Sequence, residues 1–282
     1  MVNFCQKGLY ENVSNILSTS LFAENIEVEK LYELMITSFN TDLSNFLFSD
    51  LFPISDLGSF STFLTNKSIS PFNIGVDLPI YFGDLNSKSR IMIVAMDPKR
   101  IGQEPSVFSL GSVFSLHTIE GRNTRKNDYW NFIEPMIADN LVYLTDIYKL
   151  YYESFIEVNN RQVHKVSNKD KTFIGKNTVP FNINKEILEK EIELVKPTKI
   201  IALGKEAASA LKQIQDLKIK GSEIYYRHNQ IEYLFMPHIA RTVTQNISTI
   251  ANLFVAMGKL KNDKQLEFLG EQLKIYKDDL FN

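Results

Sequence analysis

The chain has 282 residues, 44% hydrophobic and 23% charged, an ordinary balance for a globular protein with one sizeable core and appendages. Its formal net charge of −2 excludes a bulk polycation, so any nucleic-acid contact has to come from local basic patches. The single cysteine, Cys5, excludes a disulfide framework or cysteine cluster within one chain, and no apolar run approaches the roughly 18–20 residues that span a membrane.

The N-terminus carries no cationic stretch leading into an apolar run, which implies a cytoplasmic protein. Residues 6–50 read as helices: "VEKLYELMITSF" sets Val28, Leu31, Leu34, Met35 and Phe39 three and four positions apart. The stretch 52–88 is rich in Ser, Asn, Pro and Gly and reads as a loop-heavy connection. From residue 90 the pattern changes to short apolar runs, "RIMIVAMD" (90–97), "LVYLTDIY" (141–148), "TKIIALG" (198–204) and "EYLFMPH" (232–238). Between them, 127–138, 185–196 and 205–214 read as helices. The basic stretch 159–176 reads as a solvated insertion loop, with a phosphate-contacting loop as the alternative, and 246–257 and 262–278 read as closing helices.

Apolar strands alternating with helices imply a parallel sheet covered on both faces, with ligands beyond the C-terminal strand ends. Asp97, Asp146, Gly204 and His238 each stand at or just past such an end. In "IMIVAMDPKRIGQE" the strand runs straight into Asp97, and Pro98 stops it there.

These four strand ends resemble, in order and approximate spacing over about 88–255, the motifs of uracil-DNA glycosylases. "AMDPKRIGQE" resembles the first motif, G-Q-D-P-Y-H followed by G-P-G-Q, and "LVYLTDIYK" resembles T-N-V-V-K. "VKPTKIIALGKEAASAL" resembles the segment before the last strand, and "FMPHIAR" resembles A-H-P-S-P. The resemblance implies an α/β, three-layer fold with a central, mostly parallel four-stranded sheet between helices. It divides the chain into a helical N-terminal extension (1–87), a glycosylase-like core (88–258) and a C-terminal helix (259–282). It also implies a monofunctional, monomeric enzyme that flips a base out of DNA, cleaves its N-glycosidic bond and uses no cofactor or metal. The four histidines, His117, His164, His228 and His238, show no ligand spacing among themselves.

Breaking that bond builds positive charge on the sugar and negative charge on the base, so a carboxylate and a donor are required. Carried over by motif, Asp97 is the carboxylate and His238 the donor, with Met96 beside the base. Arg100, Gln103, Gly204 and Lys205 fall where DNA contacts are expected. The aromatic that stacks on the base is Phe108 or Phe114, since the local echo "SVFSL-GSVFSL" leaves both open.

The departures from the pattern bear on base choice. The Asn that reads uracil in the family is Asp146 here, and a carboxylate accepts from the cytosine N4 amine but faces uracil O4 with repulsion. The Tyr that excludes 5-substituents is Lys99, a flexible cation that makes room for a polar substituent and bonds to it. Together these resemble anti-phage glycosylases of this superfamily that excise glucosylated hydroxymethylcytosine, and they imply modified phage DNA as the partner. In the second motif Ile239-Ala240 replaces Pro-Ser, which leaves Arg241 and Thr242 to supply phosphate contacts. Ala95 replaces the family's Gly before the first motif. Three alternatives stand beside this reading: excision of uracil or a damaged pyrimidine in repair, a non-catalytic single-strand binder of the same fold, and a lyase using Lys99 as its amine.

Overall fold

The computed structural model describes residues 2–41, 51–66, 72–98, 107–123, 128–158, 161–219, 225–236 and 238. Its helices are α1 (Leu9–Ser20), α2 (Val28–Asn40), α3 (Ser59–Thr65), α4 (Ile119–Asn123), α5 (Asp128–Ile137), α6 (Lys171–Ile174), α7 (Val179–Val195) and α8 (Lys205–Ile214). Its strands are β1 (Leu51–Pro53), β2 (Phe72–Leu78), β3 (Ile80–Phe82), β4 (Arg90–Ala95), β5 (Val107–Ser112) and β6 (Leu141–Asp146). They continue with β7 (Leu150–Val158), β8 (Arg161–Val166), β9 (Lys199–Leu203), β10 (Tyr225–His228) and β11 (Ile231–Met236).

The four apolar runs form β4, β6, β9 and β11, which pair in parallel in the order β6-β4-β9-β11. Register sets Arg90 opposite Leu141 and Ala95 opposite Asp146, so β4 and β6 end level with each other. Their near-continuous burial follows from helices on both faces. Trp130 of α5 packs edge-on against Phe82, the register partner of Val142, whereas the next residue, Tyr143, donates to Glu191 of α7. Because side chains alternate along a strand, α5 and α7 cover opposite faces.

The sheet is wider than the expected four-stranded one. Antiparallel β3 and β10 add an edge on each side and make six strands of mixed direction. β3 is only three residues long, and β10 is the largely polar "YYRH"; neither carries the apolar length that marks a buried strand.

A second, five-stranded sheet was not anticipated at all. Its order is β1-β5-β2-β7-β8, with only the β2–β5 pair parallel. Two expectations are corrected by it. The stretch read as a loop-heavy connection holds β2, a central strand whose "FNIGVDL" contains Asn, Gly and Asp, residues of poor strand propensity overridden by pairing on both sides. The stretch 159–176, read as a solvated loop, supplies edge strand β8, a short turn over Ser167–Lys169, and α6, with Ser167 and Phe173 fully buried. The part of the chain before residue 88 is therefore not helical throughout.

Two of the passages between the sheets are direct, Pro79 between β2 and β3, and residues 147–149 between β6 and β7. Tyr32 of α2 donates its hydroxyl to the Pro79 carbonyl at 2.8 Å, tying the N-terminal helices to the first crossing. No helix among the described residues is long and apolar enough to cross a membrane.

Candidate active site

The first parallel strand end carries Asp97. After β4 the backbone stays level with β6 for two more residues: Ile147 N–H donates to the Ala95 carbonyl and Tyr148 N–H to the Met96 carbonyl, both at 3.0 Å. Half-buried Met96 and Asp97 are thereby held beside the direct crossing from β6 to β7. The Ser167 hydroxyl donates to Asp97 Oδ2 at 3.2 Å, from a turn that only the unexpected hairpin brings here. Burial and then the charge of Asp97 push the Tyr148 phenol up to about 12, and burial, Glu153 and Asp97 raise Tyr151. Both phenols stay neutral at physiological pH.

Asp146 ends β6 and is buried at 2% exposure. Its neighbour Thr145 points to the α7 face, where its hydroxyl bonds Glu191, so Asp146 lies on the other face, the one α5 covers. Its main chain is fixed from below. Lys149 Nζ donates to the Asp146 carbonyl at 2.6 Å and to Glu191 Oε2 at 2.7 Å, and also bonds the Thr145 hydroxyl. The Lys149 and Glu191 side chains are completely buried. Burial raises the Glu191 carboxyl above its usual range against the opposing pull of Lys149. The Lys149 N–H donates to Asn184 Oδ1 at 2.8 Å, which clamps the crossing to α7.

The other two parallel strands end on Gly204 and His238. Gly204 N–H donates to the Met236 carbonyl at 2.7 Å, which holds these ends together. Gly204 has φ +93°, and a Cβ built on it would stand 3.3 Å from His238 Cβ. The backbone angle calls for glycine, and a Cβ at this position would also crowd His238. Lys205 is exposed at the first residue of α8.

Sequence reasoning left two candidates for the stacking aromatic, and the structure separates their surroundings. Phe108 lies within β5, 1% exposed and stacked on Phe52. Phe114 sits half-buried in the turn after β5, packed beside β6, and stacks on Tyr129 of α5 with ring centres 3.9 Å apart. Tyr129 in turn meets His238 edge-to-face at 5.8 Å. Three rings therefore line one side of the strand ends. Phe114 and Ser115 both have left-handed backbone, at φ +58° and +57°, a conformation costing of order 1–3 kcal/mol each in non-glycine residues. The turn is braced by buried Ser112 and His117, whose Oγ and Nδ1 share a hydrogen bond of 2.6 Å, and by Arg122 donating to the Leu116 carbonyl at 2.8 Å.

The structure thus brings Met96, Asp97, Asp146, Gly204, His238 and Phe114 to one end of the parallel strands and leaves Phe108 in the interior of the second sheet. Lys99, Arg100, Gln103, Arg241 and Thr242 lie outside the described residues, as do the stretches 246–257 and 262–278. Ser167, Tyr129 and the Ser112–His117 pair were not anticipated. Among the described residues no group of three or more His, Cys, Asp or Glu side chains could hold a metal ion.

A carboxylate and an imidazole at the same end of one parallel sheet, on strands β4 and β11 with β9 between them, suit a reaction that separates charge. A family model described as the Uracil DNA glycosylase superfamily matches residues 82–257, more than half of the chain. The chain belongs to that superfamily. Membership points to DNA glycosylase activity and to DNA as the substrate. The match begins at the last residue of β3 and takes in β5, β7 and β8 of the second sheet, leaving β1 and β2 before it. Among curated proteins none matches the chain.

Proposed function

We propose that the protein is a DNA glycosylase that cleaves the N-glycosidic bond of a flipped-out, 5-modified cytosine, such as glucosylated hydroxymethylcytosine, and leaves an abasic site. The observation that supports this reading is Asp146 at the end of β6, level with the Asp97 strand and fixed through its carbonyl by buried Lys149, in a motif whose resemblance gives it the place of the uracil-reading Asn.

In this reading Asp97 faces the sugar, stabilises the positive charge that develops there, and orients the attacking water. His238, seated on Gly204, donates to the pyrimidine O2 as the base leaves with the bonding electrons. Phe114 stacks on the base, with Tyr129 continuing the row of rings toward His238. Asp146 accepts from the cytosine N4 amine. Lys99 gives the 5-substituent room and a donor, while Arg100, Gln103, Lys205, Arg241 and Thr242 meet the DNA backbone. A base of this kind marks phage DNA, so the protein acts in defence against phage, as a monomer in the cytoplasm.

The test is a panel of oligonucleotides carrying uracil, cytosine, methylcytosine, hydroxymethylcytosine or glucosylated hydroxymethylcytosine, scored for alkali-labile sites. Strand breakage confined to the hydroxymethylated or glucosylated cytosines is expected. Breakage at uracil alone would replace the substrate with uracil and keep the reaction.

A further inference from the structure

Ser167 lies 70 residues along the chain from Asp97, in a stretch that reads as a polar loop, and yet its side chain is fully buried. A buried hydroxyl is costly unless it is bonded, and this one donates to Asp97 Oδ2 at 3.2 Å. Its position is over-determined. β8 pairs with β7 through to Val166 opposite Glu153, the turn over Ser167–Lys169 follows at once, and Asp170 N–H donates back to the Ser167 carbonyl at 3.1 Å. Asp170 then caps α6 and accepts from the Tyr152 hydroxyl of β7. The hairpin is thus tied down on both sides of Ser167, which reaches the carboxylate.

We propose that Ser167 is a positioning residue for Asp97, its hydroxyl fixing the orientation and favouring the ionised state of that carboxylate. The proposal rests on the role of Asp97 given above. It makes the β7–β8 hairpin a wall of the active site. A carboxylate that must face a developing cation gains from one donor that sets its plane, provided the donor stays neutral. Serine meets that condition at every working pH.

Two of the groups beside Asp97 are neutral phenols. Tyr148, on the crossing, and Tyr151, on β7, both feel its charge, and both are held protonated by burial. Asp146 ends the adjacent strand, and His238 ends the parallel strand two places away. Lys99 and Arg100, the next cations along the chain, lie outside the described residues.

The experiment compares the full-length protein with Ser167→Ala and Ser167→Thr, the second keeping the hydroxyl. Two quantities are read: the pH profile of single-turnover excision, and the titration of the Asp97 carboxyl by carbon-13 NMR. Losing a donor to the ionised form raises the carboxyl pKa, so the acidic limb of the profile moves to higher pH in Ser167→Ala. The plateau rate falls about tenfold, the scale of one hydrogen bond to a charged group. Ser167→Thr restores both. An Asp97 titration unchanged in Ser167→Ala, or a rate that falls while the acidic limb stays put, would overturn the proposal. If the wild-type protein releases no base from any oligonucleotide, the glycosylase reading fails, and the NMR titration alone decides whether Ser167 governs the Asp97 carboxyl.

Discussion

Asp97 and His238 are both placed by backbone that has little freedom, the first by hydrogen bonds to Ala95 and Met96 from the crossing, the second by its seat on Gly204. In the proposed mechanism each opposes a charge that appears only in the transition state. Asp97→Asn and His238→Ala are therefore expected to lower single-turnover excision by about two to four orders of magnitude. DNA affinity, measured by fluorescence anisotropy, should stay within a few-fold of wild type; loss of affinity in step with rate would place them in binding instead. These residues were legible because Pro98 and Gly204 punctuate apolar strands, and the residue at a parallel strand end is exposed to a ligand by topology. Ser167, Tyr129 and His117 were not legible. What matters about each is a contact made across the fold, and neither spacing nor composition near them carries a trace of it.

At the scale of elements, the turn from β6 to β7 rests on the Lys149–Glu191 pair, which also receives hydrogen bonds from Tyr143 and Thr145. Removing one partner leaves a buried charge uncompensated, at a cost of roughly 3–5 kcal/mol, whereas neutralising both returns much of it. Lys149→Met should lower stability in urea denaturation by that amount, and Lys149→Met with Glu191→Gln should recover at least half. A single variant as stable as wild type would show that the pair does not hold the turn. The parallel strands and α5, α7 and α8 were readable because burial on both faces demands an unbroken apolar run, and helices repeat at their own period. Strands β2 and β8 were hidden by the same logic. β2 gains its order from partners on both sides despite a weak sequence, and edge strand β8, "RQVHKV", has no need of a continuous apolar run.

Over the whole molecule, two sheets share one chain, and the candidate site lies where they meet. The six-stranded sheet provides Asp97, Asp146, Gly204 and His238, while the five-stranded sheet provides the turns that carry Phe114 and Ser167. The parallel core and its ligand-bearing edge were visible in the sequence as four strand ends in order; the second sheet, which closes the site, became visible only in three dimensions. In the proposed reading, a chain of net charge −2 addresses DNA by taking one base at this joint, with cations near it in the sequence. In the proposed function base choice falls to Asp146, and exchanging its carboxylate for an amide should move preference toward uracil by about 1–3 kcal/mol. The most direct measurement is the ratio of single-turnover excision rates on matched oligonucleotides carrying hydroxymethylcytosine or uracil, for wild type and Asp146→Asn. The account predicts that wild type favours the modified cytosine and that Asp146→Asn shifts the ratio toward uracil by about tenfold or more. A wild-type protein that excises uracil and no modified cytosine, or a ratio unmoved by Asp146→Asn, would contradict it.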